Sequence, residues 1–166
     1  LLKYAQTDAL TGLYNKETTE QLTDELLSED ENKYHAFLIL DVDCFKQIND
    51  IYGHAVGDIV LQKFGKLLKG TFREGDILGR IGGDEFGVIM KNIQTKDIAM
   101  KKAGELLAKT QAYKIDELKG NNISISIGIS TAPQDGDCYM DLYKRADQAL
   151  YQAKRSGKAR VCNYFS

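Results

Sequence analysis

Arg80-Ile81-Gly82-Gly83-Asp84-Glu85-Phe86-Gly87-Val88-Ile89-Met90 is the stretch on which the reading of this chain turns. Its adjacent glycines predict a tight turn, since glycine takes positive φ at no steric cost. Ile77, Leu78 and Ile81 before them, and Phe86, Val88 and Ile89 after, predict the two strands of a hairpin. Two neighbouring carboxylates, Asp84 and Glu85, stand at the tip. Acidic groups on a rigid turn that backbone can approach closely suit a metal-bound triphosphate. The hairpin therefore points to an enzyme.

Upstream, Asn15 predicts a cap for a helix to about Leu27, with Leu22 and Leu26 on one face. Ala36-Phe37-Leu38-Ile39-Leu40 is apolar without a break, as in a strand buried on both faces, and it empties into Asp41-Val42-Asp43. A short helix follows over Cys44–Ile51, then a Gly53-His54 turn. Val56, Val60, Phe64, Leu67 and Leu68 recur at helical spacing in a longer helix to about Phe72. Beyond the hairpin a helix spans Thr95–Gln111. Ile123 to Ser130 alternates apolar and polar, which predicts a strand with one covered face. Leu142, Ala146, Ala149, Leu150 and Ala153 mark a last helix. Helices against one face of a mainly antiparallel sheet make an α+β domain.

At 166 residues the chain fits one domain, 1–166, with a single substantial core. A net charge of -2 gives no electrostatic footprint for nucleic acid or an anionic membrane. No apolar run reaches the length of a membrane span, and no signal peptide is visible. Cys44, Cys138 and Cys162 are odd in number and widely spaced, which suits reduced, cytoplasmic thiols. The chain opens without Met, so a longer parent protein with a preceding region is expected.

Asp41 and Asp43 are two apart, so on a strand both side chains share a face. They form an expected Mg²⁺ site, because Mg²⁺ takes one or two carboxylates plus substrate phosphates. If the hairpin neighbours this strand, Asp84 or Glu85 meets Asp41 there and a two-metal site for nucleotidyl transfer results. The plainer alternative is that Asp41 and Asp43 end the strand and cap the next helix. On that helix Lys46 and Asn49 share a face. The backbone N–H groups of Cys44 and Phe45 can bind phosphate oxygens at its start. Asn49 can donate to and accept from a base edge. Asp58 can accept from the N1–H and exocyclic amine of guanine, which adenine does not offer. Both residues are also ordinary capping types.

With these residues in place, the chain closely resembles the GGDEF family of diguanylate cyclases. The resemblance rests on Asp8–Lys16, Asp41–Asp58, Gly79–Phe86 and Arg145–Lys158, and covers nearly the whole chain. It implies a ferredoxin-like fold akin to polymerase palm domains. It also implies condensation of two GTP into cyclic di-GMP and two pyrophosphates by a transient homodimer holding one GTP per subunit. Two Mg²⁺ or Mn²⁺ per site would be held by Asp41, the Val42 carbonyl and Asp84. Asp84, Glu85 and Lys46 would be catalytic, and Cys44, Phe45, Asn49, Asp58, Lys154 and Lys158 would bind substrate. Tyr14, Lys16 and Lys158 depart from the commonest pattern, and Lys158 lacks the bidentate geometry of an arginine. The resemblance further implies a cytoplasmic domain, in a protein whose preceding region can be sensory or membrane-anchored.

Arg73-Glu74-Gly75-Asp76 stands where the family places an R-x-x-D product-inhibition site, with Arg80 assisting product or substrate phosphates. A helix-end turn with solvated charges is the plain alternative. His54 is read as a turn residue, Tyr143 and Tyr151 as packing, and Asp8 and Asn15 as organisers of the first turn and cap. Two non-catalytic functions compete with the cyclase: a module that binds cyclic di-GMP, and a GTP-binding regulator.

Overall fold

The apolar run at 36–40 becomes the middle of a five-stranded sheet. In the computed structural model, which describes residues 3–165, β1 (His35–Val42) is buried along its whole length. β2 (Ile77–Arg80) and β3 (Glu85–Met90) form the expected hairpin, followed by β4 (Ile125–Ala132) and β5 (Val161–Asn163). The strand order is β2-β3-β1-β4-β5, antiparallel throughout except for β4 with β5. Among the described residues, five α-helices complete the fold: α1 (Lys16–Glu29), α2 (Phe45–Tyr52), α3 (His54–Thr71), α4 (Lys96–Ala112) and α5 (Tyr139–Arg155). The result is α+β. Among the described residues, no helix is long and apolar enough to cross a membrane.

The helices cover both faces of the sheet, not the one face expected. Ala36, Leu38, Leu40 and Val42 pack with Val60, Phe64 and Leu68 of α3 and with Ala103 and Leu106 of α4. Phe37 and Ile39 point the other way, into Leu26 and Leu27 of α1 and Tyr139, Leu142, Ala146 and Leu150 of α5. An unbroken apolar strand needs cover on both sides, and this arrangement supplies it.

The alternation of β4 has a different cause from the one expected, because its serines are as buried as its isoleucines. Ser126 Oγ donates to Asp43 Oδ1 (2.6 Å) and Ser130 Oγ donates to the Leu142 carbonyl (2.7 Å). Gly128 between them lets α5 lie on the strand: a Cβ there would stand 2.2 Å from the Ala146 carbonyl oxygen. The serine face is thus a buried, hydrogen-bonded seat for α5.

Asn15 caps α1 as expected, its Oδ1 accepting from the Thr18 N–H at 2.9 Å. The Gly53-His54 turn contracts to Gly53 alone, at φ +92°, a backbone conformation that favours glycine. Its N–H donates to the Asn49 carbonyl (2.9 Å) as α2 gives way to α3. The three-residue β5 was not anticipated.

Candidate active site

β1 delivers Asp41 to the end of the central strand, directly opposite Glu85 of β3 and Ser126 of β4. Partners directly across a ladder share a face, so these three side chains look toward α5. The hairpin turn is tied to the same strand end, with the Val42 N–H donating to the Asp84 carbonyl (3.3 Å). Within the turn, the Ile81 and Gly82 N–H groups both donate to the Glu85 carbonyl (2.9 and 3.1 Å). Neither Gly82 nor Gly83 has positive φ, so the turn does not need the conformational freedom expected of them. At Gly82 the benefit is room, since a Cβ would lie 3.1 Å from Glu85 Cβ.

Arg80 braces this turn. Its Nε and Nη2 donate to the Gly83 carbonyl (3.0 and 2.8 Å) and its Nη1 donates to Asp8 (3.1 Å to Oδ1). Asp8 in turn accepts from the Thr11 N–H and hydroxyl (2.8 Å each), organising the first turn as expected. Arg80 lies at the far end of β2 from Arg73 and Asp76, so the structure does not group these three residues.

The two aspartates at the end of β1 have different jobs. Asp43 accepts from Ser124 Oγ and Ser126 Oγ (2.6 Å each) and from the Ala159 N–H (3.1 Å). It is a tie between the end of β1, β4 and the loop after α5. Asp41 Oδ2 accepts from Lys154 Nζ, while Asp41 Oδ1 is buried with no partner. Burial raises the Asp41 pKa, the adjacent Asp84 carboxylate adds to the rise, and Lys154 opposes it. An orphaned buried carboxylate oxygen beside a second carboxylate is a hard-oxygen donor set, and it fits a divalent cation such as Mg²⁺ or Mn²⁺.

Glu85 also has its pKa raised by burial, against the hydrogen bond it accepts from Tyr143 Oη on Oε1 (2.8 Å). Tyr143 was expected to pack only. It stands eleven residues before Lys154, about three helical turns, so both fall on one face of α5. That spacing is the signal by which the sequence could have disclosed it.

The substrate-side residues fall into two groups. Cys44 is the N-cap of α2, in the left-handed region at φ 57°, and it turns the chain from β1 into the helix. The first N–H groups of α2, beginning at Phe45, point out of the helix start. The loop after α5 returns here: the Ala159 N–H holds Asp43, and Lys158 Nζ lies 3.3 Å from Cys44 Sγ. Lys154, on α5, and Lys158, in the loop after it, therefore converge on the carboxylate end of β1. Lys46 is exposed on the first turn of α2. Asn49 and Asp58 lie on either side of the Gly53 corner, with Asn49 against Gly57.

The R-x-x-D segment is at the opposite end of the hairpin. Asp76 is buried and accepts from the Arg73 N–H (3.2 Å) and the Lys91 N–H (3.1 Å). Arg73 reaches Asp76 Oδ1 at 3.3 Å and also donates to the Lys91 carbonyl, yet its side chain stays 62% exposed. Asp76 thus fixes the turn and Arg73 faces outward.

A family described as "Diguanylate cyclase, GGDEF domain" matches residues 5–160. Diguanylate cyclase A from Treponema denticola is 37% identical over 168 residues, covering 97% of this chain and 45% of that protein. Among solved structures, TpbB (YfiN) from Pseudomonas aeruginosa, comprising only the GGDEF domain, is 33% identical with a TM-score of 0.90. That match covers 96% of this chain and 94% of that one. The GGDEF domain of DgcB from Caulobacter crescentus, in complex with c-di-GMP, is 27% identical with a TM-score of 0.89, covering 98% and 94% of the two chains. The chain spans less than half the length of the curated relatives it matches.

Proposed function

This chain belongs to the GGDEF diguanylate cyclase family, and we propose from that premise that it joins two GTP into cyclic di-GMP with release of two pyrophosphates. The observation that carries the proposal is the orphaned Asp41 Oδ1 beside Asp84, on a turn hydrogen-bonded to the end of β1. Two divalent metals, Mg²⁺ or Mn²⁺, held by Asp41, Asp84 and the Val42 carbonyl would polarise the phosphoryl oxygens and the attacking hydroxyl when bound.

The chain's own groups do the rest. The N–H groups of Cys44 and Phe45, with Lys46 and Lys158, hold the phosphates. Lys154 leaves Asp41 to neutralise charge on the triphosphate. Asn49 and Asp58 read guanine. Glu85, fixed by Tyr143, keeps a third carboxylate beside the metal ligands. The 3′-oxygen of one GTP attacks the α-phosphorus of the other, forming the new P–O bond. The α–β bridge breaks, pyrophosphate carries off the electron pair, and Asp84 accepts the hydroxyl proton. One subunit holds one nucleotide, so two subunits must face each other for the ring to close. The reaction draws on cytoplasmic GTP. Arg73, exposed and anchored by Asp76, is a phosphate contact for returning product, and the c-di-GMP complex of the DgcB domain supports product binding within this fold.

The test is incubation with GTP and Mg²⁺, with chromatography for cyclic di-GMP and pyrophosphate and Asp84→Ala as control. Product from the wild type alone is the expected result. No product from a dimer forced together and freed of bound nucleotide would replace the cyclase with a cyclic di-GMP-binding module.

A further inference from the structure

Gly57 lies in the first turns of α3, where no positive φ requires glycine. Glycine is the poorest helix former after proline, so its presence there calls for another reason. The reason is space. A Cβ on residue 57 would stand 1.9 Å from Asn49 Oδ1, 3.0 Å from Asn49 Cγ and 3.2 Å from Phe45 Cζ. No side chain at 57 can coexist with Asn49 where it now lies. The Gly53 corner folds α2 back on α3, and the Asn49 amide fills the notch that Gly57 leaves. Among the described residues, that amide has no hydrogen-bond partner within the protein, so its donors and acceptor are free for a ligand. Asp58, the next residue on α3, is exposed.

We propose that Gly57 is a positioning residue for base recognition: its missing side chain seats the Asn49 amide against α3, at the residue that precedes Asp58, in the orientation that meets guanine. The inference rests on the base-reading role given to Asn49 above. Substituting alanine at 57 pushes the amide off its seat, while α3 itself gains a better helix former.

The experiment is isothermal titration of the intact domain with two probes: a GTP analogue carrying a methylene between the α- and β-phosphorus, and inorganic tripolyphosphate, which has no base. Gly57→Ala is expected to weaken the analogue roughly threefold to tenfold, the range of one lost neutral hydrogen bond, and to leave tripolyphosphate unchanged. Its melting temperature stays level or rises. Asn49→Ala weakens the analogue similarly, and adding Gly57→Ala to it has no further effect, because the displaced group is already gone. Unchanged analogue affinity in Gly57→Ala, equal loss of tripolyphosphate, or full additivity in the double variant overturns the proposal. If Asn49→Ala binds the analogue as the wild type does, the base-reading role itself falls, and this inference falls with it.

Discussion

Gly128→Ala tests whether the seat of α5 on β4 sets the active-site geometry. The new Cβ would lie 2.2 Å from the Ala146 carbonyl oxygen, 2.3 Å from the Leu150 nitrogen and 2.8 Å from Leu150 Cα. The first two atoms are the ends of one helical hydrogen bond, so the methyl drives into the helix backbone itself. Ordinary contact begins at 3.4 Å. α5 must therefore retreat by roughly 1 Å, at an overpacking cost of about 1–3 kcal/mol. For a domain of this size the melting temperature should drop by roughly 3–10 °C. α5 also carries Lys154 to Asp41 and Tyr143 to Glu85, and a shift of about 1 Å in such groups can cost on the order of a hundredfold in rate. Melting by circular dichroism and pyrophosphate release from GTP read the two effects. Gly104→Ala on α4, where a Cβ meets nothing within 4 Å, is the control and should be neutral or slightly stabilising. A Gly128→Ala protein that melts with the wild type refutes the packing argument. One that melts early yet turns over normally refutes the link from α5 to the site.

His35 is 2% exposed, and its Nδ1 accepts from the Asn92 N–H at 3.0 Å, which requires the neutral ring. Burial lowers its pKa below the ordinary 6.5; Lys33 and Lys91 reinforce the shift, and Glu29 and Asp30 oppose it. The unfolded chain therefore takes up the proton first, and stability should fall as pH drops through 6.5; a His35→Gln protein with the same melting profile across that window would refute this. Asp43→Asn should lower stability by about 1–3 kcal/mol, because an amide NH₂ would face groups that donate. Asp41→Asn should leave the melting temperature unchanged or raised while abolishing turnover, since it relieves the repulsion between two adjacent carboxylates, one of them with a buried, unmatched oxygen; the reverse ranking of the two melting curves would overturn the division of labour between them. Arg73→Ala should weaken product inhibition about tenfold, as loss of one charge-assisted phosphate contact would, without changing the initial rate; an unchanged inhibition constant removes Arg73 from any product site.

Features of the fold that depend on local pattern were legible in the sequence. β1 followed from five apolar residues in a row, α3 and α5 from their spacing, and the hairpin from the apolar runs flanking its turn. What escaped depended on a distant partner. β5 is three residues long and exists only because β4 offers an edge at Ile127–Ile129. The serines of β4 looked solvent-facing until α5 lay over them. The brace that Arg80 makes was not legible, because nothing near it in sequence reveals Asp8, seventy-two residues away, or its grip on the Gly83 carbonyl. The glycines of the turn were expected to supply positive φ, and the backbone never goes there.

The pair Asp41 and Asp43 shows why residue type alone could not resolve the site. On the sequence they are equivalent: same side chain, same strand end, same face. The structure separates them through neighbours contributed by β4, α5 and the hairpin. Asp43 meets two hydroxyls and a backbone N–H, three donors that satisfy a carboxylate without external help. Asp41 meets one ammonium and a second carboxylate, leaving an oxygen buried and unmatched. A buried acceptor without a donor raises the free energy of the unliganded protein. Binding of a cation would relieve that cost, so the strain at Asp41 becomes part of the affinity for metal and nucleotide. Asp43 contributes by holding the end of β1 against β4 and the loop that carries Lys158. The satisfied aspartate keeps the frame rigid, and the unsatisfied one makes the frame receptive.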